Sequence, residues 1–256
     1  MRQRPAGGGA RARSASAADA PAPPALQPGV VTELVPAARR PGRWQLAVDG
    51  RAAGYVSLDL VERLGLHVGR VLDDALAAQV AAAIDEVAVY DRALGMLAAR
   101  GRSSRDLRTR LVRAGALPAH ADAAIARLQD AGLVDDAAYA RQVARSRVAT
   151  RGDSRRRVTQ ALAQAGVARP TADEAVAEVF EEESVDEAAL VEQAARKRVR
   201  TLGDLDPAVR RRRLYGYLAR RGHDASVIRA VVDRVLGERG KPNDGADPED
   251  ADFDDA

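Results

Sequence analysis

Three glycines, Gly115, Gly166 and Gly222, fix most of what this chain can become. Eight residues before each stand Leu107, Val158 and Leu214; four before, Leu111, Leu162 and Leu218. Ten after stand Ile125, Val176 and Val232; thirteen after, Leu128, Val179 and Val235. These offsets put the first pair one turn apart on a helix that ends at the glycine, and the second pair on one face of the helix that follows. A residue just past a helix end often takes the left-handed conformation, which costs glycine little. The glycines lie 51 and 56 residues apart, so each copy has room for three helices, and TLGDLDP lengthens the connection inside the third. One trio buries little apolar surface alone, but stacked trios share cores. The predicted fold class is mainly α, with three tandem three-helix repeats forming an elongated, curved array.

Helix punctuation agrees with that reading. Val87, Tyr90, Leu94 and Leu97 follow 3-4-3 spacing, and Gly101 follows as a stop. Ser103-Ser104-Arg105-Asp106 fits a capping box, as does Thr171 with Glu174. Asp206-Pro207 places an acceptor at the cap and proline at the first helical position. In AGLVDDAAYARQ, residues 131–142, Gly132 ends the last helix of copy one and Leu133 is expected to tuck back into it. Asp135 or Asp136 then caps the first helix of copy two, both acids lying at the positive end of its dipole. Tyr139 and Val143 are expected on the inward face. Paired acids also serve catalysis or metal binding, but no His, Glu or third acid accompanies these two.

Apolar residues make up 46% of the chain but aromatics only 3%, so the core is built of Ala, Leu and Val. There is no Cys, and His67, His120 and His223 are scattered, which excludes thiolate chemistry and leaves no metal-ligand spacing. No nucleophile, base or cofactor constellation stands out, so neither an enzyme nor a cofactor is expected. Residues 1–29, rich in Pro, Gly, Ala and Ser, read as a disordered extension and lack the apolar stretch of a secretory signal. No segment is long and apolar enough for a membrane span, and a cytoplasmic location is expected. Residues 30–72 read as a small β-hairpin and helix module: Asp49-Gly50 is a favoured two-residue turn that sets Trp44 opposite Tyr55, and LDLVERLGL is a short helix ending near Gly65. The repeats are placed at 73–132, 133–183 and 184–238, followed by an acidic disordered tail at 239–256.

Charge is uneven. Residues 241–256 carry seven acids and one Lys, which leaves +9 on residues 1–240. A basic body suits a polyanionic partner, and the tail is placed to compete for the same surface. The candidate contacts are Arg141 and Arg145, four apart on one face; Arg155, Arg156 and Arg157 at a helix start; Arg196 and Lys197, with Arg198 and Arg200, at a helix end; and Arg210 and Arg213 within a run of four, followed by Arg220. Arg213, Tyr217 and Arg220 are expected on one cation–aromatic stripe suited to phosphate and base contacts.

Three stretches carry a resemblance: LGMLAARGRSSRDLRTRLVRAG (94–115), LQDAGLVDDAAYARQVARSR (128–147) and RRRVTQALAQAGV (155–167). Together they resemble the RecX family, bacterial modulators of the recombinase RecA, over about Ala88 to Leu236. Asp106 stands where the family usually has Glu, and Val134 where Leu or Ile is common. The resemblance implies a monomeric, non-enzymatic protein that lies along RecA filaments on DNA and inhibits strand exchange and the coupled ATPase, in DNA repair, recombination and the SOS response. It also implies contact with single- or double-stranded DNA for some members. The other reading of the residues is a helix-turn-helix-like DNA-binding regulator acting without RecA.

Overall fold

The computed structural model describes residues 26–203 and 205–238. The segments 1–25 and 239–256, which include most of the stretches read as disordered, lie outside the described residues. The chain divides into two compact units: one runs to Met96 and includes Arg108–Ala124, the other comprises Leu97–Leu107 and everything from Ile125 on.

The first unit opens with strands β1 (Gly29–Pro36), β2 (Arg43–Val48) and β3 (Arg51–Ser57), then helix α1 (Leu58–Arg63) and the short strand β4 (Val71–Leu72). They form an antiparallel sheet in the order β3-β2-β1-β4. Asp49 and Gly50 both take positive φ, 47° and 74°, as the two-residue hairpin turn requires. The register beyond the turn differs from expectation. A bulge between Leu46 and Ala47 shifts the pairing by one, so Trp44 faces Val56 and Tyr55 faces Gln45. The extra residue on the bulged strand breaks the count on which the Trp44–Tyr55 pair rested.

Helix α2 (Asp74–Ala99) begins where Asp73 Oδ1 accepts from Leu76 N at 2.8 Å. Ala77, Val80, Ala83 and Val87 pack from it onto Val31, Leu46, Val56 and Leu60 of the strand module. Small residues along α2 thus let it lie close to the sheet.

Nine further helices would be needed for three trios if α2 stood apart; the described residues supply eight beyond it. These are α3 (Ser104–Arg113), α4 (Pro118–Asp130), α5 (Asp136–Arg151), α6 (Arg155–Gln164), α7 (Arg169–Glu182), α8 (Glu187–Arg200), α9 (Pro207–Ala219) and α10 (Ala225–Glu238). The first trio therefore takes its first helix from α2. All twelve apolar positions set by the three glycines are buried, none more than 7% exposed. The glycines adopt φ of 90°, 88° and 82°. Helices α5–α7 enclose one core around Leu162, Val176, Val179 and Phe180, and α8–α10 enclose another around Leu214, Leu218, Ile228 and Val232.

Two local expectations fail, each for a nameable reason. Helix α7 starts at Arg169 with Ala168 as an N-cap that makes no side-chain hydrogen bond, so Thr171 sits inside the helix rather than capping it. Pro170 lies in the first turn, where its missing N–H costs nothing. Leu133 is 53% exposed and Val134 is buried instead. The backbone N–H groups of both residues turn back to the Leu128 carbonyl, and this closure aims the second side chain inward. On α5 the buried stripe is Ala140, Ala144 and Val148, with Tyr139 and Val143 half-buried beside it.

Candidate functional site

Ser103, Asp153, Ser154 and His223 are the buried polar residues among the described ones, and all four lie where one repeat meets the next. The two joints share a plan. Ser103 caps α3: its hydroxyl accepts from Asp106 N at 3.1 Å and donates to the Ala165 carbonyl, at the end of α6, at 2.5 Å. Ser154 caps α6: its hydroxyl accepts from Arg157 N at 3.3 Å, and its backbone N–H donates to the Arg221 carbonyl, just past α9, at 3.0 Å. Each serine precedes its own repeat glycine by twelve residues. Each receives the glycine corner of the following repeat. A Cβ on Gly166 would lie 3.2 Å from Ser103 Oγ, and one on Gly222 2.7 Å from Ser154 Oγ. The negative end of one second helix thereby meets the positive end of the one before it.

In the first copy the equivalent carbonyl, Ala114, accepts from Arg92 Nη1 of α2 at 3.0 Å, and Gly115 faces open space. In the third copy the position of the serine holds Arg210, inside α9, because that helix starts earlier at the Asp206 cap. Asp206 accepts from Ala208 and Val209 N–H groups at 2.9 and 3.2 Å.

The two aspartates of the opening motif divide their work. Asp135 caps α5, accepting from Ala137 N at 2.8 Å and Ala138 N at 3.0 Å. Asp136 reaches back to Ser104 at the start of α3, accepting from its N–H at 2.8 Å and its hydroxyl at 2.6 Å. Around the second joint, His223 Nε2 donates to the Gly152 carbonyl at 2.8 Å, and Arg221 Nε donates to the Arg151 carbonyl. Asp153 pairs with Arg147 at 2.8 Å.

Burial holds the His223 imidazole below its ordinary pKa, against the opposing pull of the Gly152 carbonyl and of Glu187 and Asp153; Arg221 adds to the lowering. A depressed imidazole means the unfolded chain takes up its proton first as pH falls. Stability is therefore full above about pH 6.5, the free histidine value, and declines below it. Denaturant titrations from pH 7.5 to 5 are expected to show this fall, and His223→Gln, which keeps a donor and cannot titrate, is expected to flatten it.

The predicted contact residues sort into two groups. Several are tied to carboxylates of the same chain: Arg141 to Glu178 at 3.2 Å, Arg145 to Glu182 at 2.7 Å and Glu183 at 3.4 Å, and Arg196 to Glu192 at 2.7 Å. Arg155 pairs with Glu187 at 3.2 Å and lies over the Phe180 ring. Arg234 also reaches Glu192, so two guanidiniums hold that carboxyl below its usual range. By contrast Arg156, Arg157, Lys197, Arg210, Arg213 and Arg220 make no ion pair among the described residues. Arg156, Arg157 and Arg220 line one cleft of about 470 Å³ with Gln160 and Gly222, at the second joint. Tyr217 is stacked not by Arg213 and Arg220 but by Arg221 and Arg198, whose guanidinium carbons stand 3.7 and 5.2 Å from its ring centre.

Sequence reading placed Ser103 in a capping box and Arg198 in a basic cluster without foreseeing the partner of either, and it did not single out Ser154. The serines were detectable: they repeat at the same offset from the glycine. The described residues hold no His, Cys, Asp and Glu group able to bind a metal ion, and no helix long and apolar enough to cross a membrane.

These features define a tandem three-helix-repeat protein carrying an N-terminal strand module. Family profiles for the first, second and third three-helix domains of RecX match residues 90–128, 135–176 and 186–232. The regulatory protein RecX of Amycolatopsis mediterranei is 34% identical over 145 residues, 57% of this chain and 81% of the relative. That of Halorhodospira halophila is 39% identical over 147 residues, 57% of this chain and 86% of the relative. The chain belongs to the RecX family of regulatory proteins. A crystal structure of a regulatory protein RecX shares the fold, with a TM-score of 0.60 and 24% identity over 80% of this chain and 98% of that one.

Proposed function

We propose that this protein binds RecA nucleoprotein filaments and restrains their ATPase and strand-exchange activity, as a cytoplasmic, monomeric modulator of DNA repair, recombination and the SOS response. The observation that carries the reading is the cleft of Arg156, Arg157 and Arg220 at the second joint, cationic and without a carboxylate partner among the described residues. Arginines already neutralised within the chain, such as Arg141, Arg145, Arg155 and Arg196, offer less to a polyanion or an acidic protein face. A nucleoprotein filament presents both, DNA phosphates of either single or paired strands and acidic side chains. The helix-turn-helix regulator reading would use the same cleft on duplex DNA without RecA, and no separate observation favours it. The role assigned is binding, with no chemical step and no cofactor.

The test is RecA's DNA-dependent ATPase with substoichiometric protein across a salt series. Arg156→Gln with Arg157→Gln is expected to weaken inhibition about tenfold at moderate salt and to lower the salt slope by about one to two, with helicity unchanged. Inhibition that is unaltered at every salt concentration refutes the assignment. Duplex binding that is sequence-selective and indifferent to RecA supports the regulator reading instead.

A further inference from the structure

Helix α9 carries a second cationic face, distinct from the joint cleft. Arg210, Arg213 and Tyr217 follow 3-4 spacing along it, and Arg221 and Arg198 close on the tyrosine ring. None of these four arginines pairs with a carboxylate among the described residues. The buried Nε–H groups of Arg198 and Arg210 have no acceptor there either. The face thus carries four guanidiniums with no carboxylate partner among the described residues. Other arginines of the repeat do have carboxylate partners: Arg211 pairs with Asp233, and Arg196 and Arg234 share Glu192.

The Arg211–Asp233 pair sets the last turns of α10 beside the first turns of α9. From Glu238 the chain continues for eighteen residues, enough to span about 60 Å if extended. That continuation holds seven acids, with Phe253 between Asp252 and Asp254, against one Lys in its last sixteen residues. We propose that the acidic segment 241–256 docks on the Arg198–Arg210–Arg213–Tyr217–Arg221 face of its own chain and competes there with external polyanions. Tethering supplies the segment at about millimolar local concentration. Even a weak contact, with a dissociation constant near 0.1 mM, then lowers the apparent affinity of a competitor about tenfold. The segment's carboxylates meet four guanidiniums that have no carboxylate partner among the described residues, and Phe253 adds an aromatic edge to a surface already built of stacked cations. The inference is independent of RecA: a failure of filament inhibition leaves it standing.

The probe is a fluorescein-labelled peptide of sequence KPNDGADPEDADFDDA, titrated by anisotropy into two full-length chains. One is the natural sequence; in the other all seven tail acids, Asp244 to Asp255, are replaced by their amides. The peptide is expected to bind the amide chain at least about tenfold more tightly than the natural one, where the tethered copy already occupies the face. In the amide chain, Arg210→Gln with Arg213→Gln is expected to abolish binding, while Arg196→Gln, at a guanidinium already paired, leaves it unchanged. Circular dichroism establishes that each variant is folded, and a single Arg213→Gln, at an exposed site, serves should the pair not fold. Equal affinity for both full-length chains overturns the proposal. So does a loss on Arg196→Gln as large as on the α9 pair. A concentration-dependent dimer of the natural chain that the amide chain does not form overturns it too, placing the segment on a second copy.

Discussion

Gly222→Ala is expected to destabilise the second repeat joint well beyond what Gly115→Ala does to the first repeat. Both glycines hold the same left-handed backbone, at φ of 82° and 90°. A side chain there costs about 1–2 kcal/mol by itself. At Gly115 the added methyl meets nothing within 4 Å, so the cost stops at the backbone. At Gly222 it meets Ser154 Oγ at 2.7 Å and Arg157 Cβ at 2.9 Å, with Arg157 N at 3.4 Å behind them. Those atoms form the capped first turn of α6, which cannot swing aside without losing the Ser154 cap. Overpacking of that kind adds about 1–3 kcal/mol. Urea unfolding followed by circular dichroism measures the difference, and amide exchange assigns it to α6 and α9. Equal losses at the two glycines contradict the end-on contact described for the joint.

Arg147→Met is expected to cost about 3–5 kcal/mol, the usual penalty for stranding a buried charge. The Asp153 side chain is 5% exposed and its ion-pair partner is Arg147 at 2.8 Å. Methionine keeps much of the arginine's length but no charge, leaving the carboxylate in a poorly solvated corner beside His223. Adding Asp153→Asn removes the stranded charge, so the double variant is expected to recover most of the loss. A double variant as unstable as Arg147→Met alone places the damage in packing rather than in charge. Exposed pairs such as Arg145–Glu182 give a useful contrast, since removing either partner there is expected to cost about 1 kcal/mol or less.

The trio architecture was legible because helix periodicity and a left-handed glycine are both local signals. Leu107, Leu162, Val179 and their counterparts had to be inward once the glycines ended the helices, and all are buried. What sequence reading missed depends on partners far along the chain or on a single-residue slip. Ser103 meets Ala165 across 62 positions and His223 meets Gly152 across 71, distances at which no periodicity speaks. The Trp44 register failed on one bulged residue, and Leu133 and Val134 exchanged roles through one turn of backbone. The arginines show the same division. Their clustering was plain in the sequence, whereas their sorting into paired and carboxylate-free sets rests on glutamates brought in by neighbouring helices, such as Glu178 and Glu187.

The serine-and-glycine joint gives the chain a direction in which it can lengthen. The middle trio carries both halves of the joint, Gly166 facing the preceding serine and Ser154 facing the following glycine. An in-frame duplication of that trio inserts between its neighbours with both new contacts already encoded. Growth past either terminus lacks this ready-made fit: Arg92 already occupies the Ala114 carbonyl at one side, and Arg210 replaces the serine at the other. Relatives with more trios are thus expected to have gained them internally, leaving the two outermost sets of contacts as they are here.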